Sequence, residues 1–260
     1  WALGRLEEAE AEHRAVLEAS RRLLGEDHPF TLSSRSNLAS VLQDLGRLEE
    51  AEAEHRAVLE TRRRILGEEH PHTLTSRSNL ALALWALGRL GEAEAEYRAE
   101  LDACCRVLGE DHPDTLISRS NLASVLQDLG RLEEAEAEHR AVLETRRRIL
   151  GEEHPHTLSS RSNLALALRD LGRLEEAEAE HRAVLEVRRR VLGEEHPATL
   201  TSRNNLASVL RALGRLGEAE AEYRAELEIC RRVLGEEHPD TLTSRNNLAS
   251  VLQDLGRLEE

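Results

Sequence analysis

The sequence predicts an all-α protein, a solenoid of antiparallel helix hairpins with a 42-residue period. The chain repeats itself every 42 residues, and internal repeats of this length are typical of solenoid architectures. The six prolines all fall at one place in the repeat. All but Gly91 and Gly217 of the 15 glycines fall at two other places. The His-Pro pairs that open the repeats begin at residues 28, 70, 112, 154, 196 and 238.

The first half of each repeat predicts one helix, helix A, which in the first complete repeat covers about residues 29 to 45. Pro29 suits the first turn, because the N–H that proline lacks would have no intrahelical partner there. Leu38, Leu42 and Leu45 follow at helical spacing. Gly46 then breaks the pattern, so helix A is expected to end in a very short turn.

The second half predicts helix B, over about residues 48 to 66, with Gly67 as the glycine that ends it. Glutamates lie early and arginines late in this helix, which matches the helix dipole at both ends. Glu52 with Arg56, and Glu60 with Arg64, are spaced for ion pairs on the solvated face. The stripe that marks helix B consists of Leu48, Ala51, His55, Val58, Leu59, Arg62, Ile65 and Leu66.

Residues 1–260 are predicted to form one array, because no linker or low-complexity segment interrupts the repeats. A hairpin with one apolar stripe per helix buries its core by stacking on its neighbours. The start at Trp1 and the stop at Glu260 both fall within a repeat, which suggests a piece of a longer protein. The predicted units are a partial unit with helix B at 1–27, complete units at 28–69, 70–111, 112–153, 154–195 and 196–237, and a partial unit with helix A at 238–260.

The composition argues against several classes of function. There are 35 Lys and Arg residues against 50 Asp and Glu, a net charge of −15, so a broad nucleic-acid surface is not expected. The longest apolar runs are far below the roughly 20 residues of a membrane span. Three cysteines fit a reducing compartment, and a cytoplasmic location is predicted. Cys104 and Cys230 occupy the position of Arg62, and we interpret them as tolerated substitutions.

Catalysis, cofactor binding and metal binding are not expected. The twelve histidines recur along the repeats as a ladder, and the sequence contains no CxxC or HExxH motif. The histidine of each His-Pro pair is predicted to have a structural role at the start of helix A. A phosphate-binding P-loop requires a lysine, and the chain has none. The serines of helix A lack a nearby His-Asp pair, so no nucleophilic site is predicted.

The repeat resembles the tetratricopeptide repeat. The residues that carry the resemblance are Leu38-Ala39, Leu42, Gly46, Leu48, Ala51 and His55, and Tyr97 and Tyr223 restore an aromatic at the position of His55. The 42-residue length and the sequences NNLA and LGEEHP are similar to the long-helix variety of kinesin light chains and of the sensor arms of bacterial signalling ATPases. Two departures are Arg35 with its copies, where the family often has Trp or an aliphatic residue, and Glu100 with Glu226, which replace the residue represented by Val58.

This resemblance implies a right-handed superhelix whose A helices line a concave groove for an extended peptide or a partner's helix. Each A helix places an asparagine on the expected groove floor. The asparagines can bind peptide backbone, since an amide both donates and accepts, or they can bond a neighbouring helix and hold the stacking. The predicted groove residues are Asn37, Asn79, Asn121, Asn163, Asn205, Asn247, Leu82, Trp85, Gln127, Leu166, Arg169 and Arg211.

Specificity is expected where the copies differ. Residues 43 to 84 and 127 to 168 are identical except at Thr75 and Ser159, which indicates recent copying or design. Leu82 and Trp85 make the predicted floor apolar in the second unit, and Trp85 is an anchor candidate or packs on the next A helix. Leu166 and Arg169 make the floor apolar and then cationic in the fourth unit.

The leading functional interpretation is a non-catalytic protein-interaction scaffold. One alternative is the ligand-sensing arm of a larger signalling ATPase. Another is a structural assembly, because the segments WALGRLEE at Trp1 to Glu8 and DLGRLEE at Asp254 to Glu260 are the same part of the repeat. Copies of the chain could then stack head to tail.

Overall fold

A computed structural model of the chain describes residues 2–256, and side chains from Gly4 onward. These residues form twelve α-helices and no strand, so the predicted all-α fold of helix hairpins is confirmed. The chain divides into two compact units, Trp1–Arg131 and Leu132–Glu260, each a helical repeat solenoid. The predicted head-to-tail contact depends on Trp1 and on residues 257–260, which lie outside the described residues.

Unit 1 contains helices α1 to α6, and unit 2 contains helices α7 to α12. Even-numbered helices are A helices and odd-numbered helices are B helices. The bounds in unit 1 are α1 (Ala2–Leu24), α2 (Pro29–Asp44), α3 (Leu48–Leu66), α4 (Pro71–Ala86), α5 (Leu90–Leu108) and α6 (Pro113–Asp128). Those in unit 2 are α7 (Leu132–Leu150), α8 (Pro155–Asp170), α9 (Leu174–Leu192), α10 (Pro197–Ala212), α11 (Leu216–Leu234) and α12 (Pro239–Asp254).

Every A helix begins at a histidine cap followed by proline. In α2 the backbone of His28 is extended, and its Nδ1 accepts a hydrogen bond from the N–H of Phe30 at 3.2 Å. The same bond, at 3.1–3.2 Å, begins each of the other five A helices. It satisfies one of the N–H groups that a helix start leaves without an intrahelical partner. The structural role predicted for these histidines is therefore confirmed.

The turn from α2 to α3 is a glycine-dependent helix ending. Gly46 has φ 76°, a conformation that costs a residue with a Cβ atom far more than glycine. Its N–H donates to the Gln43 carbonyl at 2.9 Å, and the N–H of Arg47 donates to that of Leu42 at 2.8 Å. These two bonds form a Schellman motif, which satisfies carbonyls at the helix end. Helix α2 thus ends at Asp44, one residue before the predicted end.

The interior consists mainly of leucine, alanine and valine side chains, and aromatic residues make up only 2% of the sequence. In unit 1, Leu17 of α1 packs with Leu38, Leu42 and Ala51 of the following hairpin. Ala51 has no exposed surface, so the helices approach closely at this point. In unit 2 the corresponding contacts form a larger cluster around Leu206, Leu210, Tyr223, Leu227 and Leu252.

Ion pairs join consecutive B helices on the outside of the hairpins. In unit 1, Arg47 at the start of α3 donates to Glu10 of α1 at 2.7 Å and to Glu50 at 2.6 Å. The predicted pair of Glu52 and Arg56 is present. The predicted pair of Glu60 and Arg64 is wrong, because Arg64 reaches both carboxylate oxygens of Asp27 at 2.7 Å instead. Sequence spacing within one helix does not account for Asp27, which lies in the loop between α1 and α2.

Candidate functional site

The asparagine row lies on the A helices at equivalent positions in both units. Asn37 is exposed, and the other five side chains are half-buried: Asn79, Asn121, Asn163, Asn205 and Asn247. Within the described residues, none of these six amides makes a hydrogen bond to another protein group. A role in holding a neighbouring helix requires such bonds. The row therefore presents polar groups whose donors and acceptors are available to a ligand.

In unit 1 the predicted specificity residues form an apolar patch with one fixed aromatic. Leu82 of α4 is 44% exposed, one turn from Trp85. The indole N–H of Trp85 donates to Asp128 Oδ2 of α6, the next A helix, at 2.6 Å. This bond orients the half-buried Trp85 ring.

In unit 2 the positions equivalent to Trp85 on α8 and α10 are charged, and Leu166 of α8 retains the leucine equivalent to Leu82. Arg211 of α10 occupies the position of Trp85 and donates to Asp254 Oδ2 of α12 at 2.5 Å. Arg169 of α8 donates to its neighbour Asp170 at 2.9 and 3.1 Å. The cationic floor expected at Arg169 is therefore neutralised by an adjacent carboxylate. Leu166 and Gln127, the other predicted groove residues, are half-buried.

Three B helices pack on the next A helix through a buried arginine, and we call these contacts arginine junctions. Arg62 of α3 donates to Ser76 Oγ of α4 at 2.8 Å and to the carbonyl oxygen of His72 at 3.1 Å. Burial lowers the pKa of this guanidinium, because neutral oxygens replace water around the charge. The other two arginine junctions, both in unit 2, are Arg146 with Ser160 and Arg188 with Ser202, each at 2.8 Å.

Two other B helices, α5 and α11, carry a buried glutamate instead, and we call their contacts with the next A helix glutamate junctions. In unit 1, Ser118 Oγ donates to Glu100 Oε1 at 2.7 Å and lies 3.9 Å from Cys104 Sγ. Burial raises the pKa of Glu100 to about 7. In unit 2, Ser244 Oγ donates to Glu226 Oε1 at 3.0 Å. The pKa of Glu226 is also raised by burial.

The glutamate junctions are not predicted when each position of the sequence is considered separately. Taken one position at a time, the sequence presents Cys104 as a tolerated substitution and Glu100 as a separate departure from the repeat. The structure brings both side chains to Ser118 of α6. The available signal was co-occurrence, since the exchange of valine for glutamate and of arginine for cysteine four residues later occurs twice, at 100 and 104 and at 226 and 230.

A second difference accompanies the two kinds of junction. The B helices with arginine junctions bury a histidine: His55, His139 and His181. Burial lowers the pKa of each of them to about 4. Both ring nitrogens of His181 are buried without a hydrogen-bond partner in the described part of the chain. The B helices with glutamate junctions bury Tyr97 and Tyr223 at the same position, and burial raises the pKa of both phenols.

Residues 2–256 contain no group of three or more His, Cys, Asp or Glu side chains arranged to hold a metal ion. Over the same residues, no helix combines the length and the apolar character that crossing a membrane requires.

Known proteins resemble the chain in sequence. The family model of the tetratricopeptide repeat matches residues 1–43, 30–105, 79–126, 114–179, 160–225 and 201–260. Among curated proteins, none matches the chain.

Solved structures resemble the chain in fold. The nearly identical TPR-like repeats of a kinesin light chain-like protein from Podosopora anserina are 30% identical, with a TM-score of 0.70 over 79% of this chain and 97% of that one. BtubC (BKLC) from P. vanneervenii is 24% identical, with a TM-score of 0.74 over 90% and 94% of the two chains. A signal transduction ATPase with a tetratricopeptide repeat sensor, from Pyrococcus horikoshii, is 16% identical, with a TM-score of 0.69 over 92% of this chain and 35% of that one.

Proposed function

Because the chain belongs to the tetratricopeptide repeat family, we propose that it is a non-catalytic scaffold that binds an extended peptide or a partner's helix along its A helices. Tetratricopeptide repeats typically mediate protein–protein interaction, and the family consists generally of non-catalytic scaffolds. The asparagine row carries the proposal, since its amides make no hydrogen bond within the described residues.

The row suits peptide backbone because each peptide group offers one donor and one acceptor, and a primary amide can satisfy both. An amide that is half-buried has lost part of its hydration before the ligand arrives. A ligand that forms hydrogen bonds to a half-buried amide therefore displaces fewer ordered water molecules than a ligand of a fully exposed amide. Asparagine at the same place in every A helix gives contacts that do not depend on the ligand's sequence.

Sequence preference comes from the positions that differ between the units. In unit 1, Leu82 and the fixed ring of Trp85 offer an apolar contact on α4. On α10 of unit 2 the corresponding residues are Ser208 and Arg211, and Arg211 is paired with Asp254. On α8 they are Leu166 and Arg169, and Arg169 is paired with Asp170. Helix α4 of unit 1 is therefore expected to bind an apolar or aromatic side chain of the ligand, whereas α10 of unit 2 is expected to bind a polar segment.

Peptides selected from a random library against the whole chain test the proposal. The affinity of a selected peptide is measured by isothermal titration calorimetry with the native protein and with Asn79→Ala and Trp85→Ala. Each variant is expected to bind about tenfold more weakly, which corresponds to about 1.4 kcal/mol. Circular dichroism checks that both variants keep the fold.

The matched control is Glu60→Ala, an exposed position on the B helix α3. This variant should bind the peptide as tightly as the native protein. Equal affinity for all four proteins would show that the A-helix face is not the binding site.

A second candidate is the sensor arm of a signalling ATPase. One observation favours it, namely the fold similarity to the Pyrococcus horikoshii protein. The match covers 35% of the length of that protein. The full-length open reading frame decides between the two. A nucleotide-binding domain encoded beside these repeats would support the sensor, and its absence there would exclude it.

A further inference from the structure

A cavity of about 360 Å³ lies among α10, α11 and α12 of unit 2. Buried Glu226 and Cys230 form its inner end, and Leu200 and Val233 contribute apolar wall. Its outer part is exposed, with the carboxylate of Asp240 among the lining groups. The cavity is therefore a built pocket that combines an apolar wall with buried and exposed negative charge.

The pocket occupies the place where an arginine junction holds its guanidinium. In unit 1 the Arg62 guanidinium lies 3.5 Å from Ser33 Oγ and 3.1 Å from the carbonyl oxygen of His72. The residues four repeats later are Thr201 and Asp240, and both line the pocket. Thr201 and Asp240 thus stand in unit 2 where residues beside the guanidinium stand in unit 1, while the arginine itself is replaced by the much shorter cysteine Cys230.

A carboxylate has been added where the cation was removed. Glu226, which stands in the place of Val58, is only 6% exposed and accepts from Asn204 Nδ2 at 3.2 Å. The same exchange in unit 1 leaves Glu100 6% exposed, with its Oε2 atom buried and without a hydrogen-bond partner among the described residues. The hydrogen-bond donors shown for both carboxylates are neutral, and a buried carboxylate without a cationic partner is costly.

We propose that this pocket binds the guanidinium group of an arginine supplied from outside the chain. A guanidinium donates two parallel hydrogen bonds to a carboxylate, and the methylene stem of arginine packs on apolar surface such as Leu200 and Val233. The net charge of −15 favours the approach of a cation. Where the arginine belongs to a bound peptide, this inference rests on the proposed function; a free guanidinium ligand tests the pocket independently of it.

The test uses Nα-acetyl-arginine amide as the probe, titrated into the whole chain and followed by NMR through the methyl groups of Val233 and Leu234, which line the pocket. The neutral isostere Nα-acetyl-citrulline amide and the lysine analogue are titrated in parallel. The arginine probe is expected to bind at least tenfold more tightly than either. Equal binding of the three compounds would overturn the proposal.

Two variants link the binding to the pocket. Glu226→Gln keeps the shape and removes the charge, and it should weaken arginine binding at least tenfold. Cys230→Arg restores the internal guanidinium that Arg188 supplies in α9, and it should abolish binding by filling the pocket. Undiminished binding to the folded Cys230→Arg protein would overturn the proposal even if Glu226→Gln proved unstable.

Two further arms separate the source of the arginine and the role of the A-helix face. A short peptide with one central arginine that binds more tightly than the free probe identifies a protein partner, whereas equal binding identifies a small guanidinium compound. Asn205→Ala should leave the free probe unaffected. If Asn205→Ala no longer bound the free probe, the pocket and the asparagine row would not be separate sites, which would contradict the proposal.

Discussion

The arginine junctions and the glutamate junctions join a B helix to the next A helix at the same place in the repeat, with buried charge of opposite sign. Arg62 donates to Ser76, and Glu100 accepts from Ser118, the serine at the same position of the next repeat. A hydroxyl can both donate and accept, so one conserved backbone and one serine serve either charge. The repeat therefore changes its chemistry locally while its helices stay in the same places.

The two kinds of junction also differ in the sign of their pH response. A buried histidine with its pKa lowered to about 4, such as His181, stays neutral in the folded protein while the unfolded chain takes up a proton. Stability is then lost as the pH falls from about 6.5 towards 4. Glu100, with its pKa raised to about 7, binds its proton more tightly in the folded protein. Because of Glu100, the folded protein loses stability as the pH rises from about 4.5 to 7.

The largest expected effect comes from replacing His55, His139 and His181 together by tyrosine, the residue that already stands at this position in α5 and α11. The native protein should lose on the order of 3 kcal/mol per buried histidine between pH 6.5 and 4, and the variant should be spared that loss. Urea unfolding at several pH values measures the difference. His72→Tyr, at an exposed position, is the control and should follow the native curve. An unchanged acid response in the triple variant would contradict the assignment.

A smaller effect of opposite sign is expected for Glu100→Gln. The variant keeps the shape of the side chain and loses its titration, so it should gain about 3 kcal/mol over the native protein between pH 5 and 8. The gain appears at pH 8, where the native carboxyl group is ionised in its buried position. Urea unfolding at the two pH values gives the difference, and Glu60→Gln at an exposed position is the matched control. Parallel pH profiles for native protein and Glu100→Gln would contradict the buried carboxyl group.

The smallest effect should be the same at both kinds of junction. His70 caps the A helix after an arginine junction, and His112 caps the one after a glutamate junction, each with its Nδ1 atom 3.2 Å from a backbone nitrogen. Replacing either by alanine should cost about 1 kcal/mol, the usual cost of losing a helix cap. Thermal unfolding of the two variants measures it. If the two variants lost clearly different amounts of stability, the kind of junction would affect the strength of the helix cap, which would contradict this prediction.

The sequence predicts the helices nearly to the residue. Pro29 and Gly46 stand at positions that only a helix start and a helix end explain, and the observed bounds of α2 differ from the prediction by one residue. The buried positions of His55 and Val58 likewise follow from helical periodicity. Helix ends and buried positions depend on residues close together in sequence, so the pattern within one repeat is enough to predict them.

The contacts between hairpins were harder to predict, because they depend on side chains distant in sequence. Arg64 lies one turn from Glu60 along its helix but binds Asp27, 37 residues earlier. The partnership of Glu100 with Cys104 becomes visible only when Ser118 of another helix is placed beside both. The asparagine row was predicted by resemblance, and whether its amides bond a neighbouring helix is a question of three-dimensional geometry.

The most direct test of the difference between the junctions is the pKa of Glu100 in the folded protein. The ¹³C chemical shift of its side-chain carboxyl group, assigned by comparison with Glu100→Gln, can be followed from pH 3 to 9. A midpoint at about 7 is expected, because burial beside Ser118 disfavours the ionised form. A midpoint at the ordinary value of 4.5 would show that the carboxyl group is hydrated, and would contradict a buried negative group in the place of a buried arginine.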